Sequence, residues 1–313
     1  MYFNSIKKLL EANKYMSSKE LVVNLLRKLQ GKQFIPYSPQ VLHVELNNTC
    51  NLNCKMCPRD HLNRKPQNMS FDLYTKIINE AASLNIPKIR LFLFGEPLLY
   101  PNLIEAIKCA KDKGIMHVDF NTNANLLKKE IAHKIACSGL DEIIFSVDGF
   151  SRQTYEKIRK KGDYDKCINN ILYFLDFLNN EKIVMKTSIQ TINFDEIIPE
   201  IEKYKLFWGN KVDNVYVTYL NPMQGLVKEI NYAGYKRIVC NEAFSKMVIL
   251  SNGKVTTCCD DFNGDLNLGD TNVNTIEEIW NSPKYSKLRK DFNQLNYSDY
   301  SICNNCFLSY KIN

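Results

Sequence analysis

No apolar run among the 313 residues approaches the roughly 20 needed to cross a bilayer. The longest, around Ile171 to Leu178, is broken by Asp176. The stretch from Met1 to Leu10 lacks an apolar core followed by a small-residue cleavage site, which argues against a secretory signal. These two absences predict a cytoplasmic protein with no membrane partner. Internal repeats and low-complexity segments are also missing, which leaves an ordinary packed domain. A field of one charge sign is missing too. The net charge is +7, but Lys and Arg are scattered among Asp and Glu. The densest basic run, Arg159 to Lys161, is short, reads as a solvated helix end, and gives no reason to expect a nucleic-acid partner.

What is present is enough to fold. A composition of 45% hydrophobic and 24% charged residues excludes a disordered or collagen-like chain. A chain of this length buries about three-quarters of its unfolded surface, so it needs no disulfides to hold a core. Cysteine is nevertheless abundant. There are eleven, an odd number, in a chain expected to lie where thiols stay reduced. Metal or cluster ligation explains them better than a disulfide scaffold. Cys50, Cys54 and Cys57 form one group, and Cys240, Cys258, Cys259, Cys303 and Cys306 a second. Cys109, Cys137 and Cys167 lie singly inside helix-like stretches and read as small buried hydrophobes.

Three regions are predicted. Residues 1–40 form a helical preface: Ser17 and Ser18 precede Glu20, with apolar residues at Leu21, Val22, Leu25, Leu26 and Leu29. From 41 to 231, six strand-like segments alternate with helix-length ones, beginning at Val41, Ile89, Ile115, Glu142, Val184 and Asn214. Strand then helix, repeated, implies an α/β fold with a parallel sheet. Six units are too few for a closed eight-stranded barrel, and both a doubly wound sheet and an open partial barrel fit. From 232 to 313 the pattern changes to a small domain. A hairpin turns at Asn252-Gly253, and short helices follow at Thr275 to Trp280 and Tyr285 to Asn293.

Cys50-Asn-Leu-Asn-Cys54-Lys-Met-Cys57 directly follows the first predicted strand. Three thiolates in one loop can wrap one soft metal centre. A structural zinc site wants four ligands, and the next cysteine, Cys109, is far away. A cubane iron–sulfur cluster held by only three cysteines keeps one iron open to a ligand.

This C-x3-C-x2-C run after the first strand of a βα repeat resembles the signature of the radical S-adenosylmethionine (radical SAM) enzymes. The resemblance implies a partial (β/α)6 TIM-like barrel with its site at the C-terminal ends of the strands. Phe94-Gly95-Glu96-Pro97 resembles that family's Gly-Gly-Glu motif, with Phe94 in place of the first Gly. Gly95 and Glu96 would meet the methionine amino group of S-adenosylmethionine. Asn121-Thr122-Asn123 and Ser146-Val147-Asp148-Gly149 end the next two strands. There Asn123, Ser146 and Asp148 resemble contacts to the cofactor's ribose or carboxylate. Arg159 matches an arginine that pairs with that carboxylate in some relatives. Met56 would pack on one face of the adenine and Ile189 on the other. Cys50, Cys54 and Cys57 would ligate a [4Fe-4S] cluster.

The later cysteines resemble the shortened, or twitch, form of the SPASM auxiliary-cluster domain. Twelve residues separate Cys240 from Gly253, four more separate Gly253 from Cys258, and Cys303-x2-Cys306 follows. The sequence stops seven residues after Cys306, short of the later cysteines of the full form. Cys240, Cys258, Cys303 and Cys306 would hold one auxiliary [4Fe-4S] cluster for electron transfer. The same four thiolates also suit zinc. Cys259 is left over, either a packing thiol or a hydrogen-atom donor.

The resemblance implies reductive cleavage of S-adenosylmethionine to a 5′-deoxyadenosyl radical, which abstracts hydrogen from substrate. A reduced flavodoxin- or ferredoxin-type protein would supply the electron. Relatives with this domain pair act on aminocyclitols, sugars, peptides and sulfatases. A preface of about forty residues falls short of a leader-binding domain, going by usual domain size. The expected reaction is therefore oxidation or epimerisation of a small polyol or sugar. A peptide- or protein-modifying enzyme is the alternative, and a non-catalytic two-cluster electron carrier or a zinc-stabilised binding module represents other classes.

Overall fold

The computed structural model describes residues 35–304 and 306–312, apart from 222, 224–225 and 227–233. The predicted preface helix, within residues 1–40, lies outside the described residues.

Six strands carry the architecture: β1 (Val41–Val44), β2 (Lys88–Arg90), β3 (His117–Thr122), β4 (Glu142–Ser146), β5 (Lys186–Ile192) and β6 (Asn214–Thr218). They pair in sequential order, each parallel to the next. A doubly wound sheet would reverse its order part-way. Sequential order with right-handed crossovers instead keeps every connecting helix on one face, the arrangement of an open partial barrel. The helices are α1 (Phe71–Ser83), α2 (Leu103–Asp112), α3 (Lys129–Ala136), α4 (Arg152–Ile158), α5 (Tyr164–Asn180) and α6 (Ile201–Trp208). Their starts follow local chemistry. Ser70, Ser151 and Asp163 accept hydrogen bonds from the first turns of α1, α4 and α5.

Strand parity divides the sheet into two faces. Leu42, Val44, Ile89, Val118, Phe120, Ile143, Phe145 and Ile189 are fully buried in the core that the helices cover. The opposite parity carries polar groups. Asp119 takes Lys88 at 2.8 Å and Arg90 at 2.7 Å, while Glu142 takes Ser188 at 2.6 Å and Lys186 at 3.3 Å. His117 lies between the two acids, 3.2 Å from Asp119 and 3.5 Å from Glu142. Burial alone would raise the Asp119 carboxyl pKa, but His117, Arg90 and Lys88 outweigh it and hold it well below the usual range. This ion-pair layer sits at the strands' N-terminal half, so the C-terminal ends remain for a site.

The C-terminal region does not stand apart. Strand β8 (Lys246–Ile249) pairs parallel with β1 on the side away from β2. Its hairpin partner β9 (Lys254–Thr256) and the short β10 (Gly269–Asp270) extend the sheet to nine strands among the described residues. A second small sheet pairs β7 (Tyr235–Arg237) with β11 (Tyr310–Ile312). Of the single cysteines, Cys167 is buried and Cys109 is half-buried, whereas Cys137 is exposed. The expectation of three buried hydrophobes is corrected at Cys137, which caps the C-terminus of α3 on its outer side.

Candidate functional site

The loop after β1 carries Cys50, Cys54 and Cys57 into one cavity of about 270 Å³ at the strands' C-terminal ends. Its shape is fixed by backbone hydrogen bonds to neighbouring loops. Glu96 N–H donates to Thr49 O at 2.7 Å, Asn53 N–H to Lys160 O at 2.9 Å, and Lys55 N–H to Ile158 O at 2.8 Å. Arg59 holds the loop's exit by donating to the carbonyls of Asn48 at 3.0 Å and Phe94 at 3.2 Å.

Gly95 is needed for close approach. A Cβ there would lie 1.8 Å from Asn47 Oδ1 and 2.2 Å from Asn47 O. Asn47 Nδ2 in turn donates to Glu96 O at 3.0 Å, locking the two loops together. Glu96 is buried, and its carboxylate accepts from Thr122 Oγ1 at 2.6 Å and Asn123 N–H at 2.9 Å. Burial raises its pKa despite those donors. Asn123 reaches back to the cysteine loop, donating to Asn51 Oδ1 at 2.9 Å. Asp148 sits behind the cavity and anchors Arg159 at 2.6 Å, and Arg159 itself lines the cavity. Ser146 lines it too and accepts from Gln190 Nε2 at 3.0 Å. Met56 lines it from beside Ile158, Phe194 and Ile197.

Two expected contacts do not line the cavity: Asp148, which reaches it only through Arg159, and Ile189. Ile189 is fully buried on the helix-covered face. Strand alternation gives the cavity to Gln190 and Ile192, of opposite parity. The polar residues Ser188 and Gln190 on β5 were the signal for which parity faces the site. Asn47 and Met223 also went unrecognised in the sequence, and no local pattern marks either one.

The second group gathers differently. Cys240, Cys258, Cys303 and Cys306 surround a closed space of about 10 Å³, with Asp260, Phe292 and Tyr297 among its walls. Tyr297 OH accepts from Cys240 N–H at 3.0 Å and donates to Ile238 O at 2.9 Å. Cys258 Sγ accepts from Asp260 N–H at 3.3 Å. Cys259 lines neither cavity, and its sulfur lies 3.9 Å from Asp260 Oδ1.

Residues 44–187 match the Radical SAM superfamily, and residues 240–307 match SPASM, an iron-sulfur cluster-binding domain. Residues 44–187 thus form a radical SAM domain, and a SPASM domain follows it. It is 27% identical over 210 residues to the tungsten-containing aldehyde ferredoxin oxidoreductase cofactor-modifying protein of Pyrococcus furiosus, covering 62% of this chain and 55% of that relative. The chain thus spans about half the length of the curated relatives it matches. Streptococcus suis SuiB bound to precursor peptide SuiA superposes with a TM-score of 0.68 at 18% identity, over 93% of this chain and 75% of SuiB. BtrN in complex with AdoMet and 2-DOIA gives 0.59 at 19% identity, over 86% and 92%. At such identities the likeness concerns the fold.

The cofactors of this radical SAM chain are therefore [4Fe-4S] clusters and S-adenosylmethionine, and the residues present suit them. Burial holds the Cys54 thiol up to about 11 and Cys57 up to about 12, so both stay neutral until a metal centre takes the proton's place. The cavity also carries a buried acid, Glu96, and the Nε of Arg159, a buried donor with no hydrogen-bond partner. Those are the two charges that an amino acid's ammonium and carboxylate require.

A buried cross-link ties the two centres. Arg64 donates to both oxygens of Glu45, at 2.6 and 2.8 Å, and through Nε to Phe262 O at 2.7 Å. Glu45 also accepts from Ser251 N–H at 2.9 Å. One ion pair thus joins the end of β1, the loop beyond Cys57, the β8–β9 turn and the segment after Cys258.

Proposed function

We propose that this protein cleaves S-adenosylmethionine reductively and removes a hydrogen atom from a small polyol or sugar, oxidising it. The observation that carries the reading is the convergence of Cys50, Cys54 and Cys57 with Glu96, Asn123 and Arg159 on one cavity. An electron carrier has no use for those polar groups. Bound there, cluster and cofactor would supply radical chemistry able to remove a hydrogen atom from a substrate.

The chain's own residues bind and orient. Cys50, Cys54 and Cys57 would hold the cluster. Glu96 accepts the ammonium of the methionine moiety, and Arg159, held by Asp148, donates to its carboxylate. Asn123 and Ser146 contact the ribose or carboxylate region. Met56 and Ile192 cover the adenine and exclude water from it. Asn121 and Gln190 add hydrogen-bonding groups on the cavity wall, which suits a hydroxylated substrate. Cys240, Cys258, Cys303 and Cys306 hold one auxiliary cluster. Four ligands would leave that cluster no substrate position, so the chemistry it would supply is acceptance of an electron. Cys259 lines neither cavity, which favours oxidation over epimerisation. A reduced flavodoxin- or ferredoxin-type protein supplies the first electron.

A peptide substrate is the second reading, supported by the likeness to peptide-bound SuiB. The deciding test is 5′-deoxyadenosine formation by anaerobically reconstituted, reduced protein given S-adenosylmethionine, followed by a screen of aminocyclitols, sugars and peptides. No 5′-deoxyadenosine with any substrate, from protein with intact clusters, would leave only an electron carrier.

A further inference from the structure

The basic run Arg159 to Lys161 does not behave as an isolated helix end. Its backbone is laced onto the cysteine loop on both sides of Cys54, through Asn53 N–H to Lys160 O at 2.9 Å and Lys55 N–H to Ile158 O at 2.8 Å. Arg159 turns inward to Asp148 and the cavity. Lys160 and Lys161 turn outward and are exposed. Lys161 takes a left-handed backbone (φ 68°), and Gly162 follows, which is how the turn doubles back so close to the loop.

Two further lysines extend the same surface. Lys55 lies within the cysteine loop, and Lys157 is on the last turn of α4. Both are exposed and share a single acid, Glu196, at 2.9 and 3.3 Å. Among the described residues Lys160 and Lys161 have no acidic partner. Lys55, Lys157, Lys160 and Lys161 are thus four exposed cations on the cysteine loop and on the segment bonded to it beside Cys54, and Glu196 is paired with the first two.

We propose that this lysine patch is the docking surface for a small acidic electron-carrier protein that reduces the first cluster. The inference rests on the reading of Cys50, Cys54 and Cys57 as ligands of that cluster. A carrier with a flavin hydroquinone gives up one electron and becomes the semiquinone, and the cluster gains that electron, with no bond made or broken at the contact. Opposite charge steers such encounters and raises the association rate, and salt removes the advantage. Placing the unpaired cations beside a ligand loop, rather than at the cavity mouth, leaves the mouth free for cofactor and substrate.

The test is stopped-flow reduction of the reconstituted full chain by a strongly acidic, fully reduced flavodoxin, at low and high salt. Dithionite is the small-molecule control. The Lys160→Glu/Lys161→Glu variant is expected to be reduced roughly ten-fold more slowly by flavodoxin at low salt and to approach the wild-type rate at high salt. The milder Lys160→Gln/Lys161→Gln variant should fall between. Dithionite reduction and cluster content should be unchanged in both. Equal flavodoxin rates for wild type and variant would overturn the proposal, as would a wild-type rate indifferent to salt. Tight, salt-sensitive binding of a short RNA that the variant loses, with flavodoxin rates unaffected, would reassign the patch. A wild-type cluster that dithionite cannot reduce would instead overturn the underlying cluster assignment.

Discussion

The two cysteine centres use nearly the same ligand chemistry and differ in enclosure. The first takes its three cysteines from one loop of eight residues, and its cavity of about 270 Å³ is open and lined by acid, amide and guanidinium. The second draws four cysteines from across residues 240–306, and they close on about 10 Å³ walled by Phe292, Tyr297 and Leu266. On the proposed reading, the open centre admits a ligand and is built from local sequence, whereas the sealed one holds electrons and is assembled from distant segments. The sealed one is then expected to contribute to the fold's stability more than the open one.

The largest effects should separate the two. Cys54→Ala is expected to abolish 5′-deoxyadenosine formation while leaving the melting temperature near wild type. Cys306→Ala should lower the melting temperature and product formation while preserving cofactor cleavage. Equal melting temperatures for the two variants would dissolve the contrast.

Removing the cross-link comes next. Arg64→Met leaves Glu45 charged and buried, which costs about 3–5 kcal/mol, read by urea unfolding. Glu45→Gln/Arg64→Met should recover much of that loss, because no buried charge is stranded. If the double variant is as unstable as the single one, shape rather than charge holds the centres together.

Within the open cavity, Glu96→Gln should weaken S-adenosylmethionine binding by about 10- to 100-fold, the worth of one charge-assisted hydrogen bond of roughly 1.5–3 kcal/mol. Calorimetric titration checks it, with cluster content unchanged. The same substitution should leave the auxiliary cluster's spectrum untouched.

The smallest effect lies far from both centres. Asp119 and Glu142 raise the pKa of His117, so its charged form stabilises the fold fully below its unfolded value of about 6.5. That contribution is lost as pH rises through the higher folded value. Wild type should therefore lose stability as pH rises above about 6.5, and His117→Gln should lose the slope. A parallel slope in the variant would assign it elsewhere.

Much of this was legible in the sequence because it is local. The C-x3-C-x2-C loop, Gly95-Glu96 and Asn123 each lie at a strand end that periodicity locates. Six strand–helix units gave the parallel sheet, though order along the sheet, which separates a partial barrel from a doubly wound one, is set by pairing and not by pattern. Ile189 was misplaced because a one-residue change of parity moves a side chain to the other face, and hydrophobicity alone favours either isoleucine. Arg64, Glu45 and Ser251 had no signal at all. Their partnership spans some 200 residues and depends on tertiary approach, which no window of sequence contains. The Arg159–Lys161 run was visible but unremarkable until its backbone was seen against the cysteine loop.

The pairing of β8 with β1 also dictates an order of events. On the ribosome, β1 emerges about 200 residues before its neighbour on that side, a delay set by the long sequence separation of the contact. Glu45 N–H, just upstream of the cysteine loop, waits for Ile249 O, its partner at 2.9 Å. Until β8 arrives, one edge of the barrel's first strand is exposed and the loop that follows is anchored on one side only. If Cys50, Cys54 and Cys57 hold a cluster as proposed, its loading is expected to follow the arrival of β8. A fragment ending before residue 246 would present a bare parallel edge to its neighbours in solution.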